Sequence, residues 1–234
     1  MSLPVLIMTR PALDSRRFVA GIKPDLRAKL SILISPLLQI VPTGADLDMA
    51  RHRGVIFTSA NGVAYAPPGD GRPAYCVGER TAQVARAHGW SAVASGQNAE
   101  ELIKEVIKTK PPGPLIHISG VHQRGDVAAR LSEAGIQTEA IAVYDQQLLP
   151  LSPDAQQALS SGLPCIIPVF SPRTAAHLAS FCTKADSLII VALSDAVAQP
   201  LADCGAGKLI VADEPSSACV YDALETALDW ATLS

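Results

Sequence analysis

Six apolar runs in this chain give way directly to small polar residues. The places are Thr9-Arg10, Thr58 to Gly62, Gly78 to Thr81, Ser119-Gly120, Ser171 to Thr174, and Ser194. Hydroxyls and glycines there let backbone N–H groups come close to an anion. The helix starts that follow add partial positive charge. Arg10, Arg80, Arg124 and Arg173 stand in or beside these stretches and suit charge-assisted bonds to a carboxylate or phosphate. Each hydroxyl alone is explained as a helix cap. Six such places together favour one long polyanionic ligand spanning a cleft. Tyr144 closes the apolar run that starts at Ile141. A lone tyrosine at a strand end is more often structural, but its phenol can donate a proton in a cleft.

Other chemistries lack their residues. There is no G-x-G-x-x-G fingerprint: Gly205-Ala206-Gly207 wants the third glycine and precedes a strand. Phosphate loops and G-x-S-x-G elbows are also missing. His52, His88, His117, His122 and His177 have no metal-ligand spacing. His117 reads as a hydrogen-bonded core residue and His122 as a solvated loop residue. Cys76, Cys165, Cys182, Cys204 and Cys219 lie far apart, as apolar thiols in a reducing compartment do. A flavodoxin-like electron carrier is disfavoured, because Thr9-Arg10-Pro11-Ala12 is too short for a flavin phosphate loop. Trp90 and Trp230 are not placed to flank a flavin either. A two-lobed, non-enzymatic binder of an organic polyanion stays open as an alternative.

The elements that must position these residues follow from the patterning. The chain has 234 residues, 48% hydrophobic and 18% charged, which excludes disorder. Mean hydropathy is +0.24, yet no apolar run approaches the roughly 18 residues of a membrane helix. A net charge of −3 and 4% aromatic content argue against a nucleic-acid binder. The opening residues read as a first strand rather than a signal peptide, and the protein as cytoplasmic. Apolar runs at Val5–Met8, Ile32–Ile34, Val55–Phe57, Tyr75–Val77, Leu115–Ile118, Ile141–Val143, Ile166–Phe170, Leu188–Ala192 and Leu209–Val211 read as strands. Helices are expected near 12–21, 61–66, 80–88, 99–109, 123–134, 153–160, 174–181, 195–203 and 217–232. This alternation predicts parallel sheets covered on both faces. Ser152-Pro153, Ser171-Pro172 and Asn98 with Glu101 are helix starts; Gly89, Gly135 and Gly205 are stops. Three weak matches recur in order roughly 110–116 residues apart, which suggests two similar halves.

Phe57 to Val63, Val77 to Ala82, Val143-Tyr144 and Phe170 to Ala175 together resemble the uroporphyrinogen-III synthase family. Thr9-Arg10-Pro11 fits as well, as does Ser119-Gly120 followed by Arg124-Gly125, Leu131 and Gly135. The resemblance runs through nearly the whole chain in order. It implies a lyase of haem biosynthesis that closes the linear tetrapyrrole hydroxymethylbilane, with loss of water and inversion of ring D, to uroporphyrinogen III. It implies no cofactor and no metal. Substrate and product of the family carry eight carboxylates, which suits anion-binding strand ends. The implied fold is α/β: two flavodoxin-like parallel-sheet domains joined by a two-stranded linker, with a cleft between them. Domain 1 would be residues 1–37 plus 147–234, domain 2 residues 44–143, and the linkers 38–43 and 144–150, with Pro42 and Pro150 in linker strands. Tyr144 would protonate the leaving hydroxyl. Arg10, Ser59, Asn61, Gly62, Gly78, Thr81, Gly120, Arg124, Ser171, Arg173, Thr174 and Ser194 would bind carboxylates. The expected partner is the small-molecule substrate, with no nucleic acid and no membrane. The chain is expected to be a monomer, open to transient contact with hydroxymethylbilane synthase. Two departures stand out. Val197 occupies a place where the family usually has a hydroxyl, and the segment from Tyr65 leaves room for only an abbreviated helix.

Overall fold

The computed structural model describes residues 3–123, 125–182 and 185–233. The chain divides into two compact units, one of Met1–Gln39 with Leu148–Ser234 and one of Ile40–Gln147.

In the first unit, β1 (Val5–Met8), α1 (Ala12–Ala20), α2 (Pro24–Arg27) and β2 (Ser31–Ile34) come from the start of the chain. The second unit then intervenes with β3 to β8 and α3 to α6. It contains β3 (Leu38–Pro42), β4 (Gly54–Phe57), α3 (Ala60–Ala64), β5 (Pro73–Cys76), α4 (Gly78–Ala87), β6 (Ser91–Ala94), α5 (Ala99–Thr109), β7 (Leu115–Gly120), α6 (Val127–Glu133) and β8 (Thr138–Leu148). The first unit resumes with α7 (Pro153–Ser160), β9 (Cys165–Val169), α8 (Pro172–Ala179), β10 (Ala185–Ala192), α9 (Asp195–Ala198), a 3-10 turn (Gln199–Leu201), β11 (Ala206–Val211) and α10 (Ser217–Leu233).

The first sheet has the order β11-β10-β9-β1-β2, and all its pairs are parallel. Val5–Met8 therefore lies beside strands from the end of the chain. Alternate residues serve opposite faces. Leu6, Met8, Ile166, Ile189 and Val191 pack with α1 and α10. Val5, Ile7, Ile167, Val169, Leu188 and Ile190 pack with α7, α8 and α9. Burial on both faces accounts for the unbroken apolar runs. β1 has β2 on one side and β9 on the other, so the winding reverses between β1 and β9. The β1–β9 ladder stops at Leu6↔Ile166, short of Pro168, which has no N–H to continue it.

The second sheet has the order β3-β8-β7-β4-β5-β6. Its pairs from β8 to β6 are parallel. Its winding reverses between β4 and β7. Edge strand β3 runs antiparallel to β8, because Thr43 N–H donates to Val143 O (3.0 Å) and Leu149 N–H to Leu37 O (2.9 Å). Val55, Phe57, Ile116 and Ile118 face α3 and α4; Ile56 and Leu115 face α5 and α6.

Several sequence expectations are corrected. Strand β6 lies outside the expected set, β3 falls within the stretch 38–43 where the resemblance implied a linker strand, and the run at Tyr75 is strand over Pro73–Cys76. The strand at Ile141 does not end at Tyr144 but continues to Leu148, because β3 supplies a partner along it. Pro42 ends β3, while Pro150 lies beyond β8. The single helix expected over 195–203 is a short helix followed by a 3-10 turn, with Pro200 early in the turn. Helix α3 is five residues long and ends at Ala64, and no helix follows it in the segment from Tyr65 to Gly71.

Helix α5 shows its start signal at work. Asn98 Oδ1 accepts from Glu101 N–H at 3.0 Å, and the Glu101 carboxylate accepts from Gln97 N–H at 2.9 Å. Asn98→Ala removes the cap and is expected to cost about 1 kcal/mol of stability. Urea unfolding read by far-ultraviolet circular dichroism checks this, with Glu100→Ala as a nearby control.

Candidate functional site at the strand carboxyl ends

In doubly wound sheets, ligands bind outside the carboxyl ends of the strands where the winding reverses. In the second unit that place lies between β4 and β7. Ser59 follows β4 and caps α3, accepting from Asn61 N–H at 3.2 Å. Gly62 lies in the first turn of α3, where a Cβ would stand 2.7 Å from the Ile118 carbonyl oxygen. Only glycine lets α3 sit this closely on β7. Gly78 opens α4 after β5 with φ +71°, a left-handed conformation that favours glycine. Thr81, one turn on, is buried at 7% exposure.

The β7–β8 register slips by one residue at this edge. Ser119 pairs with Ala142, but Gly120 pairs with Tyr144. The bulge sends two successive side chains, Val143 and Tyr144, to the face covered by α3 and α4. It sets Tyr144 over Gly120, where a Cβ would meet the ring at 2.6 Å. Tyr144 is 5% exposed, stacks on Tyr65 with centroids 6.1 Å apart, and is hydrogen-bonded to Ser59. Burial raises its phenol above the usual tyrosine range, and the Ser59 bond offsets part of this. The group is a protonated donor at neutral pH.

Thr58, part of the polar strand end at Thr58 to Gly62 but not among the expected carboxylate binders, and His117, read only as a core residue, belong to the same edge. Thr58 Oγ1 lies 3.1 Å from His117 Nε2. His117 is 1% exposed, and burial lowers its pKa to about 4. It is a hydrogen-bonded core residue, as expected. His122, in the loop after β7, pairs with Asp145 at 3.4 Å.

In the first unit the winding reverses between β1 and β9. Thr9 directly follows β1 at 1% exposure, and its hydroxyl has no partner among the described residues. The Arg10 guanidinium lies 4.5 Å from the Phe170 ring centroid. Phe170 meets Phe18 edge-on at 5.0 Å, and Phe18 stacks on Tyr221 at 4.5 Å. The aromatic ledge holds the cation in place. Ser171 caps α8: Thr174 N–H donates to its oxygen (3.1 Å), and its hydroxyl donates to Thr174 Oγ1 (2.9 Å). Arg173 occupies the same first turn. Ser194 stands at the N-cap of α9 and makes no side-chain capping bond. Val197 is 2% exposed and packs into the core of the unit.

Thr9, Arg10, Ser171, Arg173 and Thr174 thus flank one reversal point, and Ser59, Asn61, Gly62 and Gly120 the other. Gly78 and Ser194 stand one strand further out. Arg124 lies outside the described residues. Among the described residues no three of His, Cys, Asp and Glu gather to hold a metal ion, and no helix is long and apolar enough to cross a membrane.

A family model described as uroporphyrinogen-III synthase HemD matches residues 27–220. The chain belongs to the uroporphyrinogen-III synthase family. Two solved members of that family show the same fold. One is the uroporphyrinogen-III synthetase of Helicobacter pylori, at TM-score 0.68 and 19% identity over 96% of this chain and 100% of that one. The other is a mutant uroporphyrinogen III synthase of the extremely thermophilic bacterium Thermus thermophilus, at TM-score 0.50 and 13% identity over 97% of this chain and 99% of that one. Curated protein sequences give no match.

Within this synthase the bulge and Gly120 act together on Tyr144. Gly120→Ala is expected to displace the ring and cost about 1–3 kcal/mol by overpacking. In a Tyr144→Ala background most of that cost should vanish. A double-mutant cycle in urea measures the coupling. A second expectation concerns acid. His117 stays neutral in the fold to about pH 4, whereas an unfolded histidine takes a proton near pH 6.5. Its contribution is thus complete above about pH 6.5 and falls away as pH drops toward 4. Unfolding free energies measured between pH 4.5 and 7.5 should decline less steeply in His117→Leu.

Proposed function

We propose that this chain cyclises hydroxymethylbilane with the strand carboxyl ends of both its units, each holding a share of the substrate's carboxylates. The observation that carries this reading is the clustering of anion-suited groups at both winding reversals of a uroporphyrinogen-III synthase fold. Arg10, Arg124 and Arg173 supply charge. Ser59, Asn61, Thr174 and Ser194 supply hydroxyl or amide donors, with Ser171 holding Thr174 and Thr81 behind them. Gly62 and Gly120 let α3 and Tyr144 pack closely at this edge, and Gly78 takes the left-handed turn that opens α4.

The electron-rich pyrrole drives loss of the terminal hydroxyl as water and leaves an azafulvene. Tyr144 donates the proton that makes water the leaving group. Attack from the substituted carbon of ring D then gives the spiro intermediate and the inverted ring. The enzyme's larger share is holding the chain so that this carbon attacks. In this reading residues 1–37 with 147–234 and residues 44–143 act as two substrate-gripping domains. The chain works as a cytoplasmic monomer without cofactor or metal, and substrate arrives from hydroxymethylbilane synthase, by transient contact where the two meet.

A coupled assay with hydroxymethylbilane synthase, followed by oxidation and chromatography of the uroporphyrin isomers, tests the activity. The type III isomer is expected; type I alone, the spontaneous product, would overturn the reading. Tyr144→Phe keeps the ring and removes the proton. One general acid typically contributes roughly 10²–10⁴-fold, and a readily lost hydroxyl puts this case at the low end. Turnover should fall with the type III product preserved. Arg10→Ala and Arg173→Ala should instead chiefly raise KM, each by roughly tenfold for a lost charge-assisted bond.

A further inference from the structure

We infer that His117 is a positioning residue: held as the Nε2–H tautomer, it donates to Thr58 Oγ1 and so commits the Thr58 hydroxyl to donate outward, to a substrate carboxylate. The inference rests on the reading of the strand edge as the carboxylate site and adds Thr58 to it.

Register brings the two residues together. Ile56 of β4 is directly opposite His117 of β7, and Thr58, two residues on and just past the end of β4, turns its hydroxyl to the His117 side. The contact is 3.1 Å between Thr58 Oγ1 and His117 Nε2. His117 is 1% exposed, and its Nδ1 has no partner among the described residues. That asymmetry fixes the proton. A neutral imidazole carries one N–H and one bare acceptor. Were the proton on Nδ1, a buried donor would be orphaned, at the full cost of its lost hydration. With the proton on Nε2, the donor is satisfied by Thr58 and only an acceptor lacks a partner, the cheaper and commoner case. The doubly protonated ring would orphan the same donor and bury a charge, in line with the depressed pKa.

The consequence falls on Thr58. A hydroxyl has one proton and two lone pairs. One lone pair is taken by His117. Among the described residues Thr58 makes no other side-chain hydrogen bond. Thr58 is half-buried and immediately precedes Ser59, the residue that bonds Tyr144. Its free proton therefore lies at the edge where the neighbouring Ser59 caps α3, and an anion accepts it best. An uncharged histidine does this without placing a positive charge behind the site.

Two measurements test the inference separately from the activity itself. In protein labelled with ¹⁵N-histidine, the His117 nitrogens should read as protonated Nε2 and bare Nδ1, unchanged from pH 8 to 5.5. A protonated Nδ1, or a ring that takes up its second proton within that range, overturns the tautomer assignment whatever the enzyme does. Kinetics with hydroxymethylbilane test the consequence. Thr58→Val should raise KM roughly tenfold with kcat and the type III product little changed, since a hydrogen bond to a charged acceptor is lost. His117→Leu should move KM the same way, and His117→Gln, whose amide can donate to Thr58, should recover most of it. Unchanged KM in Thr58→Val, or equal KM in the Leu and Gln variants, overturns the role assigned to His117. Failure of all variants and wild type to make the type III isomer would instead fault the functional reading.

Discussion

A strand buried on both faces can offer polar chemistry only where it ends. The central strands of both sheets are covered by helices on each side, and almost every residue along them is buried. Polar groups there would lose their hydration without compensation. Polar side chains of this chain are thereby pushed toward the strand ends, where helix starts follow. Winding reversal selects among those ends. Helices leave to opposite sides of each reversal, and the two flanking strand ends stay open.

Within that edge, one extra residue in β8 decides the reach of Tyr144. Strict alternation would place Val143 and Tyr144 on opposite faces. The slip between Ser119 and Gly120 puts both on one face, and the missing side chain of Gly120 makes room for the ring. Gly62 does for α3 what Gly120 does for Tyr144. The same few ångströms thus hold a capping serine, a helix start and a phenol in mutual contact. In the first unit the equivalent task falls to an arginine on an aromatic ledge and a serine-capped helix. The two units carry polar strand ends with different side chains on similar parallel sheets.

Much of this was legible in the residues. Continuous apolar runs such as Val5–Met8 and Ile166–Val169 can be buried only in parallel sheets, and capping serines before Pro153 and Pro172 mark helix starts without ambiguity. The polar strand ends were legible for the same reason, since they interrupt those runs. What escaped lacked an apolar signature or depended on pairing. β6 is an edge strand with Val93 half exposed. The extent of β8 beyond Tyr144 depends on β3. The bulge and the Thr58–His117 contact are set by register between residues 22 to 59 positions apart, which local pattern cannot reveal.

If one ligand engages the strand carboxyl ends of both sheets, both ends must respond to it together. Anaerobic titration of ¹⁵N-labelled protein with uroporphyrinogen III, followed by two-dimensional amide spectra, tests this most directly. Perturbed amides are expected at residues 9–10, 171–174 and 194 in the first unit. They are expected equally at 58–62, 78–81 and 120 in the second, all following one saturation curve. Perturbations confined to one unit, or gathered at the amino ends of the strands near Ser31 and Leu115, would contradict a single ligand held by both.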